Sequence, residues 1–496
     1  MIIKKFFSFA VILALGVIGA HGLEVEVSSP GYLLESVDNP ESVTELKVKG
    51  AIDASDLYKI NFEMRNLVSL DLSAVTIVEY KGNNVMGRSF YPGATIPYGA
   101  FLGSAIEKIV LPTQEKIAID DCAFMSSSLK TLPSFDNVVS IGSGAFGDCN
   151  NLKDIVMPAV EMSTSVFADC KGLESVDMGN VTTIPASTFR GCTALKNVKG
   201  SKTIEVIGNQ AFEGDASLEN FEFGPALRVL GVSAFASTGL TSIDMEESNR
   251  LNEISDQAFA NSQLTAVSLP ENMTAVGDGA FFGNSNLNGL ELPASIIILG
   301  AHSLVSTPLS KIDLPEGLEE IGDYALAGQK EIKDITFPST LIYIGSHGME
   351  SMTGLEHIIG TSLIAVPELG DDVWDGVNQK NVVLSVQKSL GEDFKSAEQW
   401  KEFNIDDTTG IDDAIEDVTG ERAVRGRFVG TALQIESASG DIDVVRLFDT
   451  SGRMLLSSEP HSSFVSIETS DFPGGVFIVK VILEDKTSAT LKMGRK

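Results

Sequence analysis

The sequence predicts an α/β-type repeat protein, a solenoid of short parallel β-strands, followed by a small all-β sandwich domain. One observation is a marker, Ala-Phe or a close relative, that recurs about every 22–23 residues. Another is an apolar residue five positions before each marker, with a Leu-x-x-[Ile/Val/Leu] pattern five or six positions after it. The last is a change to alternating segments and glycine turns beyond residue 425. The second marker residue falls at Phe101, Phe124, Phe146, Phe167, Phe189, Phe212, Phe235, Phe259, Phe281, Leu304, Leu326 and Met349.

The coil around residues 141–158 shows what this spacing requires. After the marker, the pattern runs Leu152-x-x-Ile155-x-Met157. Side chains alternate along a strand, so Ile155 and Met157 point inward and Val156 outward. The Ala-Phe half is too short for a long helix, so we expect a turn or a single helical turn whose Phe fills the interior. One coil cannot bury these residues alone, and stacked coils share a continuous core, as in leucine-rich repeat solenoids.

The pattern changes at both ends of the repeat array. Residues 23–95 keep two strand patterns without the Ala-Phe half, and 52–65 between them are polar enough for a short helix. We expect an N-terminal cap and atypical repeats here, because a solenoid must cover its first coil. Residues 96–405 form the regular solenoid, and the helical spacing of apolar residues in 394–403 predicts its C-terminal cap. Residues 406–424 are acidic and predict an extended linker.

The full repeat, Ile-x-x-x-Ala-Phe-x-x-Cys-x-x-Leu-x-x-Ile, resembles the BspA-like, or treponemal-type, leucine-rich repeats of bacterial surface proteins. The resemblance covers roughly residues 40–405. It implies a secreted, non-enzymatic adhesion or recognition protein.

Residues 1–22 predict a signal peptide, with Lys4 and Lys5 before an apolar run and a small-x-small site at Ala20-His21-Gly22. The apolar run is short for a membrane span, so we expect cleavage rather than an anchor. The chain carries a net charge of −32, and residues 23–420 carry 24 − 58 = −34. Such a surface disfavours nucleic acid and anionic membranes and favours basic partners.

Three of the four cysteines, Cys149, Cys170 and Cys192, lie three residues after their markers in consecutive coils. They predict a column, which a disulfide, a metal site or a run of small buried residues would each explain. Other coils place small residues nearby, so we expect buried thiols, no metal and no cofactor. Cys122 lies outside this column.

The sequence carries no motif of a known catalytic site. It has no G-x-S-x-G, no H-E-x-x-H and no phosphate loop. Two of its five histidines, His302 and His347, lie two residues before a marker, where we interpret them as substitutions at a turn. We therefore expect a protein that is not an enzyme.

The outward side chain of each strand predicts the binding surface, because solenoids bind through such extended faces. Five of these positions are acidic and predict contact with a basic patch of a partner protein: Asp177, Glu222, Asp244, Glu291 and Asp313. The alternative is that they are solvated residues that keep an exposed sheet from aggregating.

Residues 425–496 predict a small antiparallel sandwich with a turn at 450–453 and another at 473–475. The Asp449-x-x-Gly452-Arg453 turn and the strand that follows Pro473-Gly474-Gly475 are similar to the C-terminal sorting domain of type IX secretion substrates. That family more often has Tyr where this chain has Phe448 and Phe477. The resemblance implies contact with the type IX secretion machinery, removal of the domain, and a product on the outer-membrane surface or released.

Three functions remain open from the sequence. The leading one is a surface recognition or adhesion protein with a protein ligand, such as a host or other cell-surface protein. The second is a glycan- or nutrient-binding protein that works with an uptake system, which a row of aromatic residues on the concave face would favour. The third is a structural spacer without a ligand.

Overall fold

The computed structural model describes residues 22–408, 424–429, 432–437, 440–448, 454–470, 472, 475–484 and 488–495. The chain divides into two compact units. Unit 1 is Met1–Pro293 with Ser303–Pro308, and unit 2 is Ala294–His302 with Leu309–Lys496. The predicted signal peptide, apart from Gly22, and residues 409–423 of the predicted linker lie outside the described residues.

In unit 1 the strands that follow the marker turns, here called the post-marker row, pair in parallel from coil to coil. Ile155 and Met157 are 5% and 3% exposed and Val156 is 63% exposed, so the predicted alternation is confirmed. The strands are Leu23–Val27, Glu45–Ile52, Ser69–Ile77, Lys108–Val110, Asp154–Val156, Ser175–Asp177, Asn197–Lys199, Ser242–Asp244 and Ala266–Ser268.

Each coil also has a second short strand, which ends at the apolar residue five positions before the marker. These strands form the pre-marker row and pair in parallel as well. The sequence pattern does not reveal this row, because most of its strands are two residues long and too short to show alternation. In unit 1 they are Thr95–Ile96, Ile117–Ile119, Val138–Ile141, Glu161–Met162, Thr183–Ile184, Val206–Ile207, Val229–Leu230, Glu253–Ile254 and Ala275–Val276.

The core of unit 1 lies between the two rows. The marker rings from Phe101 to Phe281 are fully buried and form the phenylalanine stack. Consecutive ring centroids are 5.0–5.9 Å apart and the planes differ by 5–21°. This offset stacking is favourable for aromatic rings, and it confirms that the marker Phe fills the interior.

The N-terminal end of unit 1 carries the predicted short helix, Ala54–Glu63. Asp53 and Asp56 form a capping box at its start, and Leu57 and Ile60 are fully buried. An antiparallel hairpin, Tyr80–Val85 with Arg88–Tyr91, follows the cap. Short 3₁₀ helices lie at Leu33–Ser36, Pro40–Ser42 and Ser201–Thr203.

Unit 2 continues the same coil design. Its pre-marker row is Ile298–Leu299, Glu320–Ile321, Tyr343–Ile344 and Glu368–Leu369, all paired in parallel. Its post-marker row is Asp334–Thr336, His357–Gly360, Val383–Val386 and Asn404–Asp406.

A helical cap lies at the end of the coils of unit 2 and overlaps the predicted segment 394–403. It consists of the α-helix Gly391–Ser396 and the 3₁₀ helix Trp400–Glu402, after 3₁₀ helices at Gln379–Asn381 and Lys388–Leu390. Trp400 is buried, and its indole Nε1 donates to the Pro367 carbonyl at 3.0 Å. The large ring closes the last coil while its single polar atom keeps a partner.

The C-terminal part of unit 2 is a small antiparallel β-domain, as predicted. One sheet has Val424–Val429, Ala432–Ser437 and Phe464–Glu468. The other has Met454–Ser458, Ile442–Phe448, Gly475–Leu483 and Ser488–Arg495, in that order. Val445, Leu447, Val479 and other apolar side chains form its core.

Candidate partner-binding surface

The five acidic residues singled out in the sequence all have exposed side chains. Asp177 and Asp244 lie on post-marker strands of unit 1, and Glu222 and Glu291 lie in coils of the same unit between assigned strands. Asp313 belongs to unit 2. We call these five residues the acidic face.

Local hydrogen bonds orient two of these carboxylates. Asp177 Oδ1 accepts from the Gly179 backbone N–H at 2.9 Å, and Asp244 Oδ1 accepts from the Glu246 N–H at 3.2 Å. Such bonds between a carboxylate and the backbone two residues on are typical of turns. They hold the carboxylates at the end of the strand with their charge in water.

The acidic residues do not form an unbroken row. Asp177 is paired in register with Val156 on one neighbouring strand and with Lys199 on the other. Asp244 is paired with Ser268. Asp313 has an ion pair with Lys311 at 2.7 Å, but both side chains are more than 70% exposed, so the pair adds little stability. The acidic face is therefore a set of separated exposed carboxylates.

The cysteines form the column that their spacing predicts, and all four thiols are free. Cys149, Cys170 and Cys192 are fully buried. Each Sγ donates to the carbonyl of the marker Phe in the preceding coil, at 3.1–3.2 Å; the acceptors are Phe124, Phe146 and Phe167. Burial raises the pKa of the Cys149 thiol to about 11 and raises the pKa values of Cys170 and Cys192 well above the usual range. These are inert structural thiols rather than a redox pair.

The same position is polar and buried in most other coils of unit 1, and we call this set the buried polar column. Some of its side chains bridge coils: Ser262 Oγ donates to the Phe235 carbonyl and Asn284 Nδ2 to the Phe259 carbonyl, both at 2.9 Å. The members are Ser104, Ser127, Cys149, Cys170, Cys192, Asp215, Thr238, Ser262, Asn284 and Thr307.

Asp215 is the acidic member of the buried polar column. It is fully buried, and neither carboxylate oxygen has a hydrogen-bond partner. Burial raises its pKa well above the ordinary value; the nearby backbone of Cys192 opposes this rise, and the charge of Asp169 adds to it. The sequence analysis missed this residue, although its position three residues after Phe212 would have placed it in the column.

A row of aromatic side chains lies on the turns of unit 2, two residues before the markers. Ring centroids are 4.8 Å apart from His302 to Tyr324 and 4.6 Å from Tyr324 to His347. All three residues have φ of 56–57°, a left-handed conformation that is uncommon for large side chains. His302 is exposed and the other two are half-buried. We call them the outer ring row; the sequence analysis took its histidines one by one and missed that Tyr324 joins them.

Four of the residues that carry the resemblance to a sorting domain, Asp449, Gly452, Arg453 and Pro473, lie outside the described residues. The fifth, Gly475, begins the strand Gly475–Leu483. Among the described residues, no group of three or more His, Cys, Asp or Glu side chains could hold a metal ion. No helix in the described part of the chain has the length and apolar character to cross a membrane.

The coil geometry agrees with the result of comparison with known families. A family model described as BspA type leucine-rich repeat region (6 copies) matches residues 94–212, 160–278 and 252–377, together more than half of the chain. The chain belongs to the BspA-type leucine-rich repeat family. This confirms the family that the repeat pattern resembles. No curated protein matches the sequence.

Several solved structures are similar to this BspA-type chain. A leucine-rich repeat protein from Bacteroides ovatus is 26% identical, with 55% of this chain and 84% of that chain covered and a TM-score of 0.39. A leucine-rich cell surface protein from Faecalibacterium prausnitzii is 23% identical, with 57% and 86% covered and a TM-score of 0.35. The pneumococcal vaccine antigen PcpA is 17% identical, with 78% and 94% covered and a TM-score of 0.34.

Proposed function

We propose that this BspA-type protein recognises a partner protein at the bacterial surface, and that the acidic face contacts a basic patch of that partner. The observation that carries the proposal is the exposure of all five carboxylates, four of them on the coils of unit 1. Carboxylates that backbone hydrogen bonds already orient, as at Asp177 and Asp244, lose little side-chain freedom on binding and steer an oppositely charged partner. Binding, rather than catalysis, is the activity proposed.

The proposed route to the surface has two signals. Residues 1–22 would direct export and be removed, and the C-terminal domain would engage the type IX secretion machinery and be removed in turn. Intact-mass analysis of the protein from surface and culture fractions of the native cell tests both steps. Loss of both segments is expected, and an intact C-terminus in the periplasm would contradict the second step.

The acidic face is tested by charge reversal in the full chain. The triple variant Asp244→Lys, Glu291→Lys and Asp313→Lys should bind an immobilised lysine-rich peptide more weakly than the wild type. The difference in affinity between the wild type and the triple variant should shrink as salt rises from about 50 to about 500 mM, because salt screens surface charges over this range. Surface plasmon resonance at several salt concentrations measures both effects.

A matched control carries the same change of charge on the pre-marker row. Glu161→Lys, Glu253→Lys and Glu368→Lys replace exposed carboxylates on those strands. If this control weakens binding as much as the test variant, net charge rather than the acidic face is responsible and the proposal fails. Unchanged binding of the test variant would also reject it.

Glycan binding is a second candidate function, supported by the outer ring row. The two imidazole rings and the phenol ring lie 4.6–4.8 Å apart along the turns. Imidazole and phenol groups can exchange hydrogen bonds with sugar hydroxyls. Binding to a glycan array that is lost in Tyr324→Ala but kept in the triple charge variant would favour this function over the first.

A further inference from the structure

The C-terminal β-domain has a sheet face that is buried although it points away from the domain's own core. On the strand Gly475–Leu483, Phe477, Val479 and Val481 belong to that core. Side chains alternate along a strand, so Ile478 and Lys480 point the other way. They are nevertheless only 5% and 6% exposed. A lysine is rarely this buried without partners, so the groups that cover it identify what this face binds.

The groups around Lys480 come from the coils of unit 2. The ammonium Nζ donates to the Glu316 carbonyl at 3.2 Å and to Ser339 Oγ at 3.3 Å. The Glu316 carboxylate Oε2 lies 3.6 Å from the same nitrogen. An ammonium group has three protons, and these three oxygens are enough to receive them. The buried charge is therefore compensated by the coils rather than by the β-domain.

A second basic side chain lies beside Lys480 on the same face. Arg446 is the cross-strand partner of Lys480 in the antiparallel sheet. Its Nη1 is 4.0 Å from Glu319 Oε1. Two neighbouring cations of the sheet thus face two carboxylates that lie three residues apart in one coil.

The acceptor side is organised by bonds within the coils. Glu316 Oε2 accepts from the Ser339 backbone N–H at 3.2 Å and from Ser339 Oγ at 2.7 Å. Thr340 Oγ1 donates to the Glu316 carbonyl at 2.8 Å. These bonds join two successive coils, so the site that receives Lys480 is held by the repeat itself and needs little reorganisation on contact.

We propose that the C-terminal β-domain docks on the coils of unit 2, with Lys480 in the Glu316–Ser339 site and Arg446 at Glu319, and so occupies an acidic site of these coils. Burial lowers the pKa of Lys480, while the Glu316 charge opposes that shift. The docking goes beyond the proposed function and does not depend on it. Removal of the domain would leave the oxygens that receive Lys480 open to a partner with a similar basic, apolar face.

The test cuts the C-terminal β-domain from the coils after both have been made and purified as one chain. A recognition sequence for a site-specific protease is placed within residues 409–423 of the full chain, and the purified protein is cut. Size-exclusion chromatography at decreasing concentration then measures whether the pieces stay together. The wild-type pieces should co-elute, whereas Lys480→Glu should weaken their association on the order of 100-fold or more, because it leaves the Glu316 site facing a like charge.

Three further variants make the result specific. Arg446→Glu should have a smaller effect, because its ion pair is longer and partly exposed. The exchange Glu316→Lys with Lys480→Glu should restore association, and this rescue shows that the single variant fails through charge rather than through misfolding. Lys196→Glu, an exposed change in unit 1, should have no effect.

Separation of the wild-type pieces at micromolar concentration would overturn the docking. So would association that survives Lys480→Glu. Circular dichroism of the released C-terminal piece shows whether it stays folded. If the piece is folded but the exchange of Glu316 and Lys480 does not restore association, the proposed pairing is also overturned.

Discussion

The phenylalanine stack of unit 1 and the outer ring row of unit 2 use the same interaction in opposite places. In the stack, rings at the marker position lie 5.0–5.9 Å apart and are fully buried. In the outer ring row, rings lie 4.6–4.8 Å apart on the turns, at the surface. The markers that follow the three rings are Leu304, Leu326 and Met349, which are fully buried too.

The difference separates what the coil needs from what a surface adds. Leu326 and Met349 fill the marker position without an aromatic ring, so the core requires volume and apolar character at that position. The turn position accepts Gly99, Gly144 and Gly279 in unit 1, so nothing in the coil requires a ring there. We infer that the phenylalanine stack serves packing of the core, whereas the outer ring row is not needed for folding and serves another role at the surface.

The largest expected effect is in the middle of the stack. Phe167→Ala should lower the free energy of unfolding by about 3–5 kcal/mol, because it removes a fully buried ring that stacks on both neighbours. Phe167→Leu should cost less than about 2 kcal/mol, since leucine fills this position elsewhere. Urea denaturation followed by circular dichroism measures both. Equal losses would mean that aromaticity, not volume, is what the core requires.

The next effect concerns the acidic member of the buried polar column. Asp215→Asn should raise the free energy of unfolding by about 1–3 kcal/mol at pH 7. The substitution removes a buried carboxylate whose oxygens lack hydrogen-bond partners, and the new amide can donate to a neighbouring carbonyl as Asn284 does. The comparison is made by urea denaturation of both proteins at pH 4 and pH 7.

The pH dependence of that gain follows from the raised pKa of Asp215. The folded protein keeps the proton on the Asp215 carboxyl to a higher pH than the unfolded chain does, because an aspartate in the unfolded chain has a pKa of about 3.9. Stability contributed by the protonated acid is therefore present below that pH and is lost as pH rises toward the folded-state pKa. The gain in Asp215→Asn should be small at pH 4 and grow toward pH 7; a gain independent of pH would contradict the raised pKa.

A smaller effect is expected at the thiols of the same column. Cys170→Ala should cost about 1 kcal/mol through its lost bond to the Phe146 carbonyl, with a further small loss of packing. Cys170→Ser keeps a donor and is the matched control. Thermal unfolding ranks the three proteins, and a serine variant less stable than the alanine variant would refute the role of the hydrogen bond.

The smallest effect on stability is expected in the outer ring row. Tyr324→Ala and Tyr324→Gly should each change the free energy of unfolding by no more than about 1 kcal/mol, with glycine the better tolerated because φ is 56°. Thermal unfolding checks this, and a loss as large as that of Phe167→Ala would show that the row supports the fold after all.

The repeat architecture could be predicted from the sequence because it depends on local spacing. The marker and the Leu-x-x-Ile pattern place Phe146, Ile155 and Met157 inside whatever the detailed path of the chain, since the strand period is two. The end caps, the cysteine column and the strands of the C-terminal domain follow from similar short-range patterns. For the acidic face, the sequence predicted that the side chains point outward.

Other features depend on which coils become neighbours in space. Two-residue strands of the pre-marker row carry no period of their own and exist only through hydrogen bonds to the coil beside them. Stacking of successive coils places Lys199 beside Asp177 and so interrupts the acidic face. The same stacking brings Tyr324 next to His302 and His347. The contact of Lys480 with Glu316 joins residues 164 positions apart. Local spacing determined each coil, and only the stacking of coils decided which side chains of different coils meet.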